Sequence, residues 1–144
     1  MKKNIYLLNG PNLNLLGIRQ PDVYGYDTLN KVTESCNDIA QLNNMTLTCH
    51  QSNYEGQLID WVQEAREKAD AIIINPGAYS HTSVALLDAL NAFNGPVIEV
   101  HVSNIHARED FRHSSFISRR ADGIIIGLGI KGYEMALEAL NRIL

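Results

Sequence analysis

Two runs of three consecutive isoleucines, Ile72-Ile73-Ile74 and Ile124-Ile125-Ile126, constrain this chain more than any other feature. A strand with one face in water alternates apolar and polar residues, so an unbroken β-branched run predicts a strand covered on both faces. Such strands belong to parallel sheets flanked by helices. The two runs mark predicted strands at 71–75 and 123–126, and further apolar runs at 4–8, 46–51 and 97–102 bring the number to five. Apolar residues recur between them at helical spacing: Leu29, Val32, Cys36, Ile39 and Ala40; Leu58, Val62, Ala65 and Ala69; Leu86, Ala89, Leu90 and Phe93; and Tyr133, Ala136, Leu137, Leu140 and Leu144. Thr28 and Thr82 are expected to cap helices, and Gly95-Pro96 to stop one just before a strand.

This alternation predicts an α/β doubly wound fold, most simply a flavodoxin-like five-stranded parallel sheet in the order 2-1-3-4-5 with helices on both faces. Residues 1–144 are expected to form one domain, since no repeat, linker or low-complexity tract divides them. No apolar run approaches the roughly 20 residues of a membrane span. The opening stretch turns polar at Asn9, too soon for a signal peptide, so a soluble cytoplasmic protein with no membrane partner is expected. Cys36 and Cys49 show no metal or disulfide spacing and are read as buried free thiols.

A net charge of −4 argues against a nucleic-acid partner, which would demand a broad basic face. The positive charge is nonetheless concentrated. Arg108, Arg112, Arg119 and Arg120 fall within 104–120 beside His106 and His113, a local field suited to a small anion.

Ligands of open parallel sheets bind beyond the carboxyl ends of the strands. Two long connections, 10–27 and 103–120, lie there, and loops of such length are usually functional or disordered. The first mixes Gly10, Gly17 and Gly25 with Pro11 and Pro21, as a closing lid would, and carries Arg19 and Tyr24. A tyrosine can act as a base only if nearby cations hold it as tyrosinate, at about 4 kcal/mol of differential stabilisation near neutral pH. Packing of Tyr24 on its own turn is the competing reading. Glu99 and His101, two apart on a strand, point to one face, so the carboxylate can orient and charge the imidazole as a proton donor. A half-buried structural histidine, with Glu99 as a salt-bridge partner, is the alternative. Ser80-His81-Thr82 leads into a helix and would favour an anion, or merely cap the helix. Arg108 and Arg112, four apart, are expected on one side of a short helical turn, either as a carboxylate clamp or as a solvated face.

Gly127-Leu128-Gly129-Ile130-Lys131-Gly132 spells GxGxxG, but too little chain follows for a dinucleotide-binding unit. A tight turn with close helix packing is the reading preferred. No phosphate loop of the G-x-x-x-x-G-K-[ST] type occurs.

The motifs at these strand ends, taken in order, resemble the type II 3-dehydroquinate dehydratases over essentially the whole chain. They are Asn9-Gly-Pro-Asn-Leu-Asn-Leu-Leu-Gly17 with Arg19, Pro21, Tyr24 and Gly25; Gln51-Ser-Asn53; Asn75-Pro-Gly-Ala-Tyr79 with His81-Thr-Ser83; and Glu99-Val-His-Val-Ser-Asn-Ile-His-Ala-Arg-Glu109 with Phe111-Arg-His113. The resemblance implies a hydro-lyase that dehydrates 3-dehydroquinate to 3-dehydroshikimate by anti elimination through an enolate, in the shikimate pathway to chorismate and the aromatic amino acids. It implies no cofactor and no metal.

By the same resemblance, Tyr24 is the base, kept ionised by Arg19, and His101, supported by Glu99, is the acid that protonates the departing hydroxyl. Asn12 and Asn75 stabilise the enolate. Gly77, His81, Asp88, Arg112 and the backbone around Val102 and Ser103 bind substrate, and Arg108 has a structural or supporting part. A homododecamer of trimers is implied too. Leu87, Tyr54 and Gln57 depart from the residues common in the family, at positions expected to bear on subunit contacts. The rival reading is a flavin- or nucleotide-binding flavodoxin-like module. A catalytically silent scaffold would leave the co-occurrence of Tyr24, His101 and the arginines without a purpose.

Overall fold

A computed structural model describes all of residues 1–144. Five parallel strands, β1 (Lys3–Asn9), β2 (Met45–Gln51), β3 (Ala71–Asn75), β4 (Val97–His101) and β5 (Gly123–Ile126), form one sheet in the order β2-β1-β3-β4-β5. This is the flavodoxin-like arrangement the alternation of patterns predicts. Asn9 lies opposite both Gln51 and Asn75, so the carboxyl ends of the three strands reach the same level.

The apolar runs are continuous because each side of the strand has its own helices to meet. Ile5, Leu7, Ile73 and Val100 pack beneath α2 (Leu29–Leu42) and α5 (Lys131–Ile143), through Val32, Cys36, Ala40, Tyr133, Ala136, Leu137 and Leu140. Their neighbours Tyr6, Leu8, Ile72, Ile74 and Val97 face the other way, onto Leu58, Val62 and Ala65 of α3 (Glu55–Lys68) and Leu86, Ala89 and Leu90 of α4 (Val84–Asn91). Each fully buried isoleucine or leucine contributes about 1.5–3 kcal/mol by leaving water. The helical stripes read from the sequence are the faces that do this packing.

The second isoleucine triplet behaves differently from the first. β5 is an edge strand; Ile125 packs against the core under α5, but Ile124, on the opposite face, is 45% exposed. A run of β-branched residues therefore predicts the strand correctly here, but not its cover.

Local signals place the loops. Thr28 caps α2, accepting from the Lys31 N–H at 3.3 Å. The cap of α4 is Ser83 rather than Thr82, with its Oγ accepting from the Leu86 N–H at 2.9 Å, because Thr82 still closes the short 3-10 turn Gly77–His81. Gly132 lets α5 approach the sheet closely. A Cβ there would lie 3.2 Å from Val100 Cγ1 and 3.3 Å from Ile125 Cγ2, which gives the glycine motif its packing role.

The first long connection holds a 3-10 turn, Leu13–Leu15, and a four-residue helix, α1 (Pro21–Tyr24), begun by proline after Gln20 in left-handed backbone. The 103–120 crossover is three separate 3-10 turns, Ile105–Ala107, Asp110–Arg112 and Ile117–Arg119. Arg108 is extended between the first two, at φ −109° and ψ −163°, so the single helical turn expected to carry Arg108 and Arg112 does not form. A four-residue spacing of like charges had no apolar periodicity behind it to stabilise a helix. No helix is long and apolar enough to cross a membrane.

Candidate active site

Beyond the carboxyl ends of β1, β3 and β4 the loops enclose a cleft of about 570 Å³, including its open mouth. The loop after β1 supplies Asn12, Arg19 and Tyr24 to its wall, the turn after β3 supplies Asn75, Gly77 and His81, and the end of β4 with the crossover supplies His101, Val102, Ser103, Arg108 and Arg112. Eleven of the thirteen residues singled out from the sequence therefore share one cavity. Glu99 stands behind it, touching His101. Asp88 does not join them: it is exposed on α4, outside the pocket of its own chain.

The loops are held at this height by close contacts. The Gly10 N–H donates to Asn75 O at 2.8 Å, and a Cβ on Gly10 would sit 2.4 Å from Pro76 O, so only glycine lets the first loop lie against the third. The Asn12 N–H donates to Asn53 Oδ1 at 3.0 Å, and Tyr79 Oη donates to Asn53 O at 2.7 Å, joining the ends of β1, β2 and β3.

Asn75 is 3% exposed and fully oriented. Its Oδ1 accepts from the Gly77 N–H at 3.1 Å, and its Nδ2 donates to Tyr133 Oη at 2.9 Å, while that hydroxyl donates to Asn9 Oδ1 at 2.7 Å. Complete burial drives the Tyr133 phenol far above its ordinary value, so it stays a neutral relay. Tyr133 entered the sequence reading only as one of an apolar stripe; its hydroxyl gives no signal there.

Tyr24 is half-buried. Arg108 Nη1 donates to its Oη at 2.9 Å, and the guanidinium carbons of Arg19 and Arg108 lie 5.0 and 5.2 Å from the ring centroid. Arg108 meets the phenol oxygen in hydrogen-bond geometry, and Arg19 approaches the phenol as a second polar partner beside the ring. Burial alone would raise the phenol, but the polar contact and positive charge of Arg19 and Arg108 outweigh it and hold Tyr24 below its ordinary 10.0. Arg108, expected in a structural or supporting part, touches the Tyr24 phenol itself, and it also donates to Ser103 Oγ at 3.2 Å.

His101 lines the same cleft; its Nε2 bonds Glu99 Oε2, and Glu99 has no exposed surface. Ser115 Oγ donates to the same oxygen at 2.7 Å and Ser118 Oγ to Oε1 at 2.6 Å. Burial would raise this carboxyl; the hydrogen bonds from His101 and Ser118, the attraction of the imidazole and the bond from Ser115 bring it below its usual value. His81 donates from Nδ1 to Ser114 O at 2.8 Å, which leaves Nε2 for the cleft. Arg112 Nε pairs with Glu109 at the rim. Nowhere do three His, Cys, Asp or Glu side chains converge as a metal site would require.

A parallel α/β sheet whose strand-end pocket sets an ionisable phenol against a carboxylate-backed imidazole defines an acid–base site for a small anion. A family model for class II dehydroquinase matches residues 3–141. The 3-dehydroquinate dehydratase 2 of Agrobacterium fabrum is 62% identical over 134 residues, covering 93% of this chain and 91% of that one. The 3-dehydroquinate dehydratase of Cereibacter sphaeroides is 56% identical over 140 residues, 97% and 95% of the two chains. The crystal structure of type II dehydroquinase from Propionibacterium acnes superposes with a TM-score of 0.95 at 41% identity, over 99% of this chain and 98% of that one. The chain belongs to the class II dehydroquinase family.

Proposed function

We propose that this chain, acting throughout 1–144 as one catalytic domain, dehydrates 3-dehydroquinate to 3-dehydroshikimate in the shikimate pathway. The observation that carries the reading is the meeting of two ionisable groups in one pocket: Tyr24 beside Arg19 and Arg108, and His101 backed by Glu99.

The Tyr24 phenolate takes a proton from the carbon next to the substrate ketone, and the electron pair moves into an enolate. Asn12 and Asn75 stabilise the developing oxyanion, Asn75 through an amide fixed in advance by Gly77 and Tyr133, so little reorganisation accompanies charge formation. As the enolate collapses, the C–O bond breaks and His101 gives its proton to the departing hydroxyl, which leaves as water. Base and acid come from different elements, Tyr24 from the connection after β1 and His101 from the end of β4. Gly77, His81, Arg112, Val102 and Ser103 hold the substrate, with Arg112 supplying positive charge for its carboxylate. One base, one acid and fixed donors complete this chemistry, which calls for no cofactor or metal.

Asp88, exposed on α4, can serve a substrate only from a neighbouring copy. That placement supports a homo-oligomer; its form as a cytoplasmic homododecamer of trimers, without nucleic-acid or membrane partners, rests on the family resemblance alone. The mass of the purified protein in solution tests it. A flavin- or nucleotide-binding module is not favoured by the family match. Purified protein given 3-dehydroquinate with a chelator and no cofactor should generate the ultraviolet absorbance of a conjugated enone; absorbance that fails to grow, or grows only without the chelator, would overturn the reading.

A further inference from the structure

The Glu99 carboxylate is sealed from water, yet both its oxygens are engaged from outside its own strand. Ser118 Oγ is the one partner of Oε1, at 2.6 Å, and Ser115 Oγ shares Oε2 with His101 at 2.7 Å. Both serines come from the end of the crossover, beside a 3-10 turn anchored by Ile117, which is 0% exposed. They face Glu99 on one side and a separate hollow, lined also by Phe111, Phe116 and Arg119, on the other. Neither belongs to the wall of the substrate cleft.

We propose that Ser115 and Ser118 are positioning residues for the elimination, which hold Glu99 as a carboxylate in one orientation and through it fix His101 as the proton donor. The inference rests on His101 being the acid. A buried carboxylate stripped of a donor binds a proton more readily or turns toward another partner, and either change costs the imidazole its counter-charge. With Nε2 pinned to Glu99, Nδ1 is the nitrogen left to deliver a proton into the cleft. Two hydroxyls therefore set which nitrogen acts and how firmly the ring is held.

The groups facing His101 are Glu99 on its own strand, Arg108 and Arg112 from the crossover, Arg19 and Tyr24 from the first loop, and His81 from the turn after β3. Of these, substitution at 118 touches Glu99 alone. Ser118→Val and Ser118→Thr are near-isosteres that both fill the space against water, and only threonine retains the donor. Ser118→Val should lower kcat about tenfold with KM within about twofold of the parent, because a group acting only at the proton-transfer step leaves ground-state binding alone. Ser118→Thr should restore kcat.

If position 118 does not tolerate the added methyl, judged by circular dichroism and melting, Ser115→Val and Ser115→Thr give the same comparison. Equal behaviour of valine and threonine variants, or a loss confined to KM with kcat unchanged, overturns the proposal. His101→Ala separates this outcome from the wider reading: full kcat in that variant removes the acid itself. A silent His101→Ala enzyme beside an indifferent Ser118→Val overturns the serines alone.

Discussion

Tyr24 sits on an irregular loop whose neighbours Ile18 and Tyr26 are 74% and 77% exposed, whereas His101 ends a strand in which every residue is buried. The phenol is tuned by two arginine side chains at the protein surface. The imidazole is tuned by a carboxylate that water does not reach, held by hydroxyls in fixed geometry. Charge in the first region acts across a medium that solvent can screen; in the second it acts where the alternative to a bond is an unpaired buried charge. One half of the site can move over substrate without unsettling the fold, and the other half is part of the fold.

The largest expected effects come from deleting the two groups proposed to transfer protons. Tyr24→Phe and His101→Ala should each lower kcat by about 10²-fold or more. Their stabilities should diverge: Tyr24→Phe should melt with the parent, while His101→Ala strands a buried carboxylate partner and costs about 1–3 kcal/mol. Equal melting temperatures would erase the contrast between the two regions.

Acid should expose the same difference from another side. Glu99 is held below its ordinary value of 4.5, so its contribution is present above that value and is lost as pH falls through the lower folded one. Glu99→Gln should be less stable than the parent at neutral pH and should lose less stability below about 4.5, a gap that urea unfolding at several pH values can measure. For Tyr24, which must be ionised to act, activity rises with pH through its depressed value. Arg108→Gln removes a cause of the depression, so the acid limb of kcat/KM should move to higher pH, with activity at neutral pH down about tenfold. A limb that stays in place would assign Arg108 to Ser103 and the loop alone.

Salt should produce the smallest change. Raising ionic strength toward 1 M shortens the Debye length to about 3 Å, so the acid limb set by Tyr24 and its arginines should drift upward by a few tenths of a pH unit. The alkaline limb set by His101 and Glu99 should stay still. Equal drift of both would mean that the buried pair is as open to solvent as the loop.

Strands and helical faces were legible in the sequence because each is a repeating pattern, and Ile72-Ile73-Ile74 meets the two-sided cover it predicts. Ile124 shows the limit: an apolar run says what a strand can tolerate, and only topology says that β5 is an edge. The candidate residues could be read because strand ends and motif order locate them, and eleven of thirteen line one cleft. Asp88 could not be placed, since a helix position says nothing of which copy it serves. Ser115, Ser118 and Tyr133 escaped notice for a common reason: each matters through a partner far away in sequence, and a hydroxyl carries no periodicity or charge to announce it.

Tyr133 has one more consequence, for the order in which the molecule is assembled. The hydroxyl that ties Asn75 and Asn9 together belongs to residue 133 of 144, so the floor of the cleft stays open until the last helix has docked. A growing polypeptide on the ribosome can lay down all five strands and α2, α3 and α4 and still be inert; competence arrives only with α5.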